Sequence, residues 1–107
     1  MTIPNKHSDL QARVQKLVEA QRYIPTGHAK KRLDQREVTI KEVRSVLLSG
    51  KRQPNRDKFH VYDERGNEIN RWSYAFSKTG LDRKLRVCVS IDESRAKPLL
   101  IVTVVEE

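Results

Sequence analysis

The hydrophobic pattern of this chain changes at about residue 51, and that change constrains the fold more than any other feature of the sequence. Before it, apolar residues recur at intervals of three and four, which is typical of amphipathic helices. After it, apolar and polar residues alternate, which is typical of strands with one buried face. Helices followed by strands predict an α+β domain, with about three N-terminal helices on one face of a twisted antiparallel sheet of about four strands. Its length of 107 residues predicts a single domain, 1–107.

Three segments of the first half predict helices, and each has a polar residue suited to cap it. The predicted helices are residues 8–22 capped by Ser8, residues 27–36 capped by Thr26, and a helix that follows Thr39 and ends near Gly50. Thr39 and Glu42 also have the spacing of a capping box. Pro25 disfavours helix at the residue before it, and therefore separates the first two helices.

The second half contains four strand-like runs. Two of them lie in KFHVYDERGNEINRWSYAF and are joined at Gly66-Asn67, and the others are KLRVCVSID and PLLIVTVVEE. In KLRVCVSID the aliphatic residues occupy one face, and Lys84 and Arg86 the other. If helices cover the aliphatic face, Lys84 and Arg86 lie on the open side of the sheet.

The segment TGHAKKRLDQRE places a histidine and two arginines four residues apart on the second predicted helix, as His28, Arg32 and Arg36. These three side chains span only about 80° around the helix axis and lie beside its buried face, whereas the neighbouring Lys30 and Lys31 are expected to point away from that face. An arginine binds phosphate through two parallel hydrogen bonds, and a histidine exchanges protons near neutral pH. The motif therefore suits the binding or cleavage of a phosphodiester. The alternative is structural, with His28 bonded to a backbone carbonyl and the arginines paired with carboxylates.

A formal charge of +8 favours a polyanionic partner such as nucleic acid, although a basic protein without such a partner has the same charge. The single cysteine, Cys88, cannot form an internal disulfide, and no cysteine and histidine set has zinc-ligand spacing, so we expect no metal and no cofactor. The sequence has no segment typical of a signal peptide or a membrane span, and we expect a cytoplasmic protein that does not bind membranes.

Further candidates lie on the strands. The open sheet face would bind RNA phosphates through cations, for which the candidates are Lys58, Arg71, Lys84 and Arg86. His60 or Tyr74 could carry the second proton in cleavage, and Trp72 or Tyr74 could stack on a base. The alternative is that Trp72, Tyr74 and Phe76, which share one side of their strand, belong to the core. We expect His7 to be a bystander and Cys88 to lack an activating partner.

The run HAKKRLDQREVTIKEVRSVLLSGK, followed by WSYAFSKTG, KLRVCVSID and LLIVTVVEE, resembles a small bacterial domain family of unknown function. The signature of that family is His-Ala-x-x-Arg-x-x-x-Arg, then a helix and antiparallel strands, and the resemblance covers about residues 26–106. Families of this shape are similar to the RelE, ParE and BrnT type toxins of toxin-antitoxin operons, whose ribonuclease members cut messenger RNA without a metal. The segment HVYDERGNEINR departs from the family pattern, because its hairpin is longer or more polar.

This resemblance implies a toxin-like, metal-independent endoribonuclease and an antitoxin chain that neutralises it. The needs of RNA cleavage favour His28 as acid or base and Arg32, Arg36 and Arg86 as phosphate ligands. The first helix or an exposed sheet edge would be the docking place for that chain. The alternative is a non-catalytic module that uses the same basic residues to bind nucleic acid or an acidic protein.

Overall fold

Three helices and six strands make up the part of the chain described by a computed structural model, residues 3–80 and 82–107. The helices are α1 (Leu10–Glu19), α2 (Gly27–Gln35) and α3 (Ile40–Ser49). The strands are β1 (Tyr23–Pro25), β2 (Lys51–Arg52), β3 (Lys58–Tyr62), β4 (Glu68–Thr79), β5 (Lys84–Ile91) and β6 (Leu99–Glu106), and one 3-10 turn spans Pro54–Arg56. The predicted α+β class is confirmed.

The six strands form one sheet in the order β1-β6-β5-β4, and both β2 and β3 pair with the remaining edge of β4. This is more than the predicted four strands, and the sheet is not wholly antiparallel because β1 runs parallel to β6. The two strands that were not predicted, β1 and β2, escaped detection for the same physical reason. A strand of two or three residues is too short to show alternation, and its hydrogen-bond partner lies far away in the sequence.

The helix caps follow the predicted chemistry for α2 and α3 but not for α1. The Thr26 side chain accepts a hydrogen bond from the Ala29 amide at 3.2 Å, and Thr39 and Glu42 form both halves of a capping box. Helix α1 is shorter than the predicted 8–22. It begins after Asp9 without a side-chain cap, and it ends before Gln21, whose φ of 56° is left-handed.

Helices α1 and α3 cover one face of the sheet, and the core lies between them. The strand residues on that face include Tyr74, Phe76, Val87 and Val89. Trp72 packs against the same cluster, so all three aromatic residues of β4 belong to the core side, as the alternative reading of that strand predicted. None of the described helices is long and apolar enough to cross a membrane.

Gly50 follows α3 at a point where two backbone segments approach closely. A Cβ atom there would meet the carbonyl oxygen of Val46 and would lie 2.7 Å from that of Ser77. We therefore expect Gly50→Ala to lower the free energy of unfolding by about 1–3 kcal/mol, measured by urea denaturation. Gly27→Ala is the control, because nothing lies within 4 Å of its added Cβ. Equal stability of the two variants would contradict the close approach.

Candidate functional site: a basic cleft on the open face of the sheet

A cleft of about 640 Å³ lies on the sheet face that α1 and α3 leave uncovered. Its walls are the N-terminus of α2 and the turn between β3 and β4, residues 63–67. Its floor includes Ser73 of β4, Ser90 of β5 and Val102 of β6, which alternate with the core-facing residues of those strands. The cleft therefore brings together parts of the chain that are far apart in sequence.

His28, the second residue of α2, lines this cleft and has a partner on each ring nitrogen. Its Nδ1 lies 3.0 Å from Oε1 of Glu64, a residue of the β3–β4 turn. Its Nε2 accepts a hydrogen bond from Nε of Arg32 at 3.4 Å. Since Arg32 can only donate, this pattern places the imidazole proton on Nδ1 and leaves the lone pair on Nε2. A carboxylate on Nδ1 orients the ring as in a histidine that acts as a general base, although in this structure the Nε2 lone pair is occupied by the hydrogen bond from Arg32.

His60 lines the same cleft from β3, where it stands opposite Arg71 of β4. Its Nε2 lies 2.9 Å from the hydroxyl oxygen of Ser73, which fixes the ring. Burial lowers the pKa of His60 below its ordinary value, and the positive charge of Lys58 lowers it further. His60 is consequently neutral at neutral pH, and its protonated form gives up a proton readily.

The cleft is more cationic than anionic. Its lining includes the four cations Lys31, Arg65, Arg71 and Arg95, and the two carboxylates Asp63 and Glu64. Arg71 and Arg95 share one carboxylate, that of Asp92, at 3.8 Å and 3.1 Å. Hydrogen bonds from Ser94, above all from its hydroxyl, lower the pKa of Asp92, so it remains charged and holds both arginines at the cleft. Such a set of cations can hold a phosphate group.

The helix motif is only partly assembled in the cleft. Arg32 contacts His28 but does not line the cleft, and Arg36 lies at the C-terminal end of α2. Arg36 is eight positions after His28, or about 12 Å along the axis, and it does not line the cleft. Lys31, which was expected to point elsewhere, lines the cleft beside His28.

Tyr74 is not in the cleft, and its predicted place among the catalytic residues is not supported by the geometry. Its side chain is buried in the core, on the sheet face that the helices cover. Its hydroxyl accepts a hydrogen bond from the His7 amide at 2.9 Å. His7 thus has a structural contact with the core, although no contact with the cleft.

Three of the predicted phosphate ligands, Lys58, Lys84 and Arg86, lie outside the lining of the cleft. Lys84 and Arg86 stand on the open face of β5, as alternation predicts, and each lies 3.7 Å from a carboxylate oxygen of Glu107. Arg86 is four residues from Ser90, the part of β5 in the cleft, or about 13 Å along the strand. Lys84 and Arg86 therefore lie away from the cleft on the same open face of the sheet.

Glu64 contacts His28 in the cleft but was not among the residues predicted for the site. It lies in the segment HVYDERGNEINR, the polar hairpin that departs from the family pattern. The departure was a signal that this turn is unusual, but only the folded chain brings Glu64 to His28. Arg65 and Arg95 were also not predicted, because both lie in loops that only the folded chain brings to the cleft.

Among residues 3–80 and 82–107, no three His, Cys, Asp or Glu side chains lie close enough together to hold a metal ion.

Cys88 of β5 is half-buried on the open face, and burial raises the pKa of its thiol despite the nearby Arg86. At neutral pH the thiol is therefore protonated, which makes it a poor nucleophile.

The fold and the cleft together define a small α+β domain with a histidine-containing basic site on the open face of its sheet. Residues 26–106 match the family described as a domain of unknown function, DUF4258, and the chain belongs to that family. Membership of a family of unknown function over these residues was predicted from the sequence and is confirmed. Neither the curated proteins nor the solved structures that were compared with the chain gave a match.

Proposed function

We propose that this protein is a toxin-like endoribonuclease that cleaves RNA in the basic cleft without a metal ion. The observation that carries the proposal is the pairing of His28 with Glu64 in a cleft that also holds His60 and Arg71. Cleavage by the RNA's own 2′-hydroxyl needs a base, a proton donor and cations for the phosphate, and this cleft offers all three.

Each residue has a distinct task in this reaction. In this reaction Arg32 turns to the phosphate and releases Nε2 of His28, which takes the proton of the 2′-hydroxyl while Glu64 holds the opposite side of the ring. The 2′ oxygen forms a bond to phosphorus as the bond to the 5′ oxygen breaks. The protonated form of His60 gives its proton to the departing 5′ oxygen. Its lowered pKa makes this form a stronger acid than an exposed imidazolium but also the minor form at neutral pH, so cleavage should speed up as the pH falls below 7. The products are a 2′,3′-cyclic phosphate and a 5′-hydroxyl.

The cations of the cleft bind the phosphate and stabilise the charge that develops on it. Arg71 stands beside His60, and Lys31 lies one helical turn after His28, so positive charge flanks both proton carriers. The net charge of +8 also draws RNA toward the protein, in a way that depends on salt concentration.

The proposed role as a toxin is supported by the resemblance of the family to RelE and ParE type toxins and by the openness of the cleft. The charged turn of the cleft, residues 63–67, is exposed, and 63% of the Glu64 side chain is accessible to solvent. A cell that makes an open ribonuclease needs a partner to cover it, and we propose an antitoxin of acidic chemistry for that role.

The direct test uses the purified protein, a chelator and a short RNA of mixed sequence. We expect cleavage in the presence of the chelator, with cyclic phosphate and 5′-hydroxyl ends identified by mass spectrometry. A matched oligonucleotide with 2′-deoxyribose at the cut positions should remain intact. Binding of both oligonucleotides without cleavage of either would refute the ribonuclease and support a non-catalytic binding module.

A further inference from the structure

Tyr62, the last residue of β3, is exposed in a way that the other aromatic residues are not. Its relative exposure is 61%, whereas the remaining five aromatic residues of the chain are buried or half-buried. Several of these also have identified partners: Phe59 packs edge-on against Trp72, and the Trp72 indole donates to the Pro4 carbonyl at 2.8 Å. Tyr62 thus presents an exposed aromatic ring that does not contribute to the core.

The position of Tyr62 relates it to the cleft. It follows His60 by two residues on β3, so the two side chains point to the same face and stand about 7 Å apart along the strand. The extra residue that disturbs the pairing here lies on β4, where Asn70 has a φ of 48°, and leaves the alternation of β3 intact. The residues after Tyr62, Asp63 and Glu64, already form the wall of the cleft.

We propose that Tyr62 stacks on an unpaired base of the RNA and thereby selects single-stranded substrate, an inference that rests on the proposed ribonuclease function. An exposed aromatic ring beside a cationic cleft is the combination with which proteins hold single strands, because the cations hold the phosphates and the ring holds a base. In a duplex the bases are stacked on one another and are not available to such a ring.

The inference is tested with a single-stranded RNA in which every ribose is 2′-O-methylated, so that it binds but cannot be cut. Fluorescence anisotropy is expected to show about tenfold weaker binding by Tyr62→Ala and nearly unchanged binding by Tyr62→Phe, which retains the ring. Ile40→Ala is the matched control, because Ile40 is an exposed apolar residue at the start of α3, away from the cleft. A duplex of the same sequence should bind Tyr62→Ala and wild type equally.

Failure of this inference is distinct from failure of the proposed function. If wild type cleaves unmodified RNA but Tyr62→Ala binds the methylated strand as tightly as wild type, the role of Tyr62 is refuted and the ribonuclease stands. If binding depends on the Tyr62 ring but unmodified RNA stays intact, the ribonuclease is refuted and the single-strand site stands. Absence of any binding by the wild type would overturn the inference.

Discussion

Replacing His28 by alanine is expected to slow RNA cleavage by about 100- to 10,000-fold, because it removes the group that accepts the 2′ proton. We expect the substitution to lower the cleavage rate constant measured at saturating RNA. Affinity for the methylated strand should be nearly unchanged, because the cations of the cleft remain in place. Glu64→Gln should have a smaller effect of the same kind. Glutamine can still accept a hydrogen bond from Nδ1–H through its carbonyl oxygen but carries no negative charge to stabilise the imidazolium.

The matched control for His28→Ala is Lys30→Ala. Lys30 lies on the exposed face of α2, outside the lining of the cleft, so this variant changes the same helix without touching the proposed site. Circular dichroism and urea denaturation of each variant establish that the fold is retained. Cleavage by a folded His28→Ala protein at the wild-type rate would contradict the assignment of the base.

Expression in a bacterial host extends this comparison to the proposed toxin role. Induction of the wild type and of Lys30→Ala is expected to arrest growth and fragment cellular RNA, while His28→Ala is expected to do neither. Growth arrest by His28→Ala with intact RNA would separate toxicity from ribonuclease chemistry and point to a binding function.

Local sequence signals were enough to predict where α2, the helix that carries His28, and α3 begin. Thr26 starts α2 and the Thr39–Glu42 capping box starts α3, because these interactions link residues only three positions apart. The open face of β5 was predicted equally well, since strict alternation over eight residues defines two faces of a strand.

The composition of the cleft depends on contacts that local patterns do not encode. Glu64 reaches His28 only because the β3–β4 turn folds over the N-terminus of α2. The sequence analysis grouped His28 with Arg36 because the two residues lie at similar angles around the helix axis. They are nevertheless about 12 Å apart along that axis. Strand β1 had no pattern of its own, and its parallel pairing with β6 became visible only in the folded sheet.

Asp57→Asn is expected to cost about 3 kcal/mol of stability and to lower the melting temperature by about 10–20 °C. Asp57 occupies the gap between β2 and β3, both of which pair with the same edge of β4. Its side chain has no exposed surface and accepts two hydrogen bonds from Arg52, at 2.9 Å and 2.7 Å, and one from the Ala75 amide at 3.0 Å. Lys6 forms an ion pair with the same carboxylate at 3.0 Å. Asparagine preserves the volume but removes the charge and half of the acceptor capacity, and leaves buried donors unpaired.

The pH dependence of this stability loss shows whether Asp57 stabilises the fold through its charge or only through its packing. Burial by itself would raise the pKa of Asp57, but the hydrogen bonds from Arg52, the Ala75 amide and Lys6 outweigh it and hold the pKa below its ordinary value. A carboxyl group with a lowered pKa stabilises the fold fully above its unfolded pKa of about 3.9, and loses that contribution as the pH falls through the folded value. Asparagine does not titrate there. The stability difference between wild type and Asp57→Asn should therefore be constant between about pH 5 and 7 and should narrow below about pH 4.

Urea denaturation at several pH values measures this difference, with Asp34→Asn on the exposed face of α2 as the control for losing a carboxylate. Because the control differs from wild type by one carboxyl group that lies at the surface, subtracting its effect isolates the contribution of the buried one. A difference for Asp57→Asn that stays constant down to pH 3 would mean that Asp57 has the same pKa in the folded and unfolded chains, so that packing alone is lost. A difference that grows as the pH falls would mean that the native carboxyl group is protonated at neutral pH. Either result would mean that a charged Asp57 is not what holds the segment between β2 and β3 against the edge of β4.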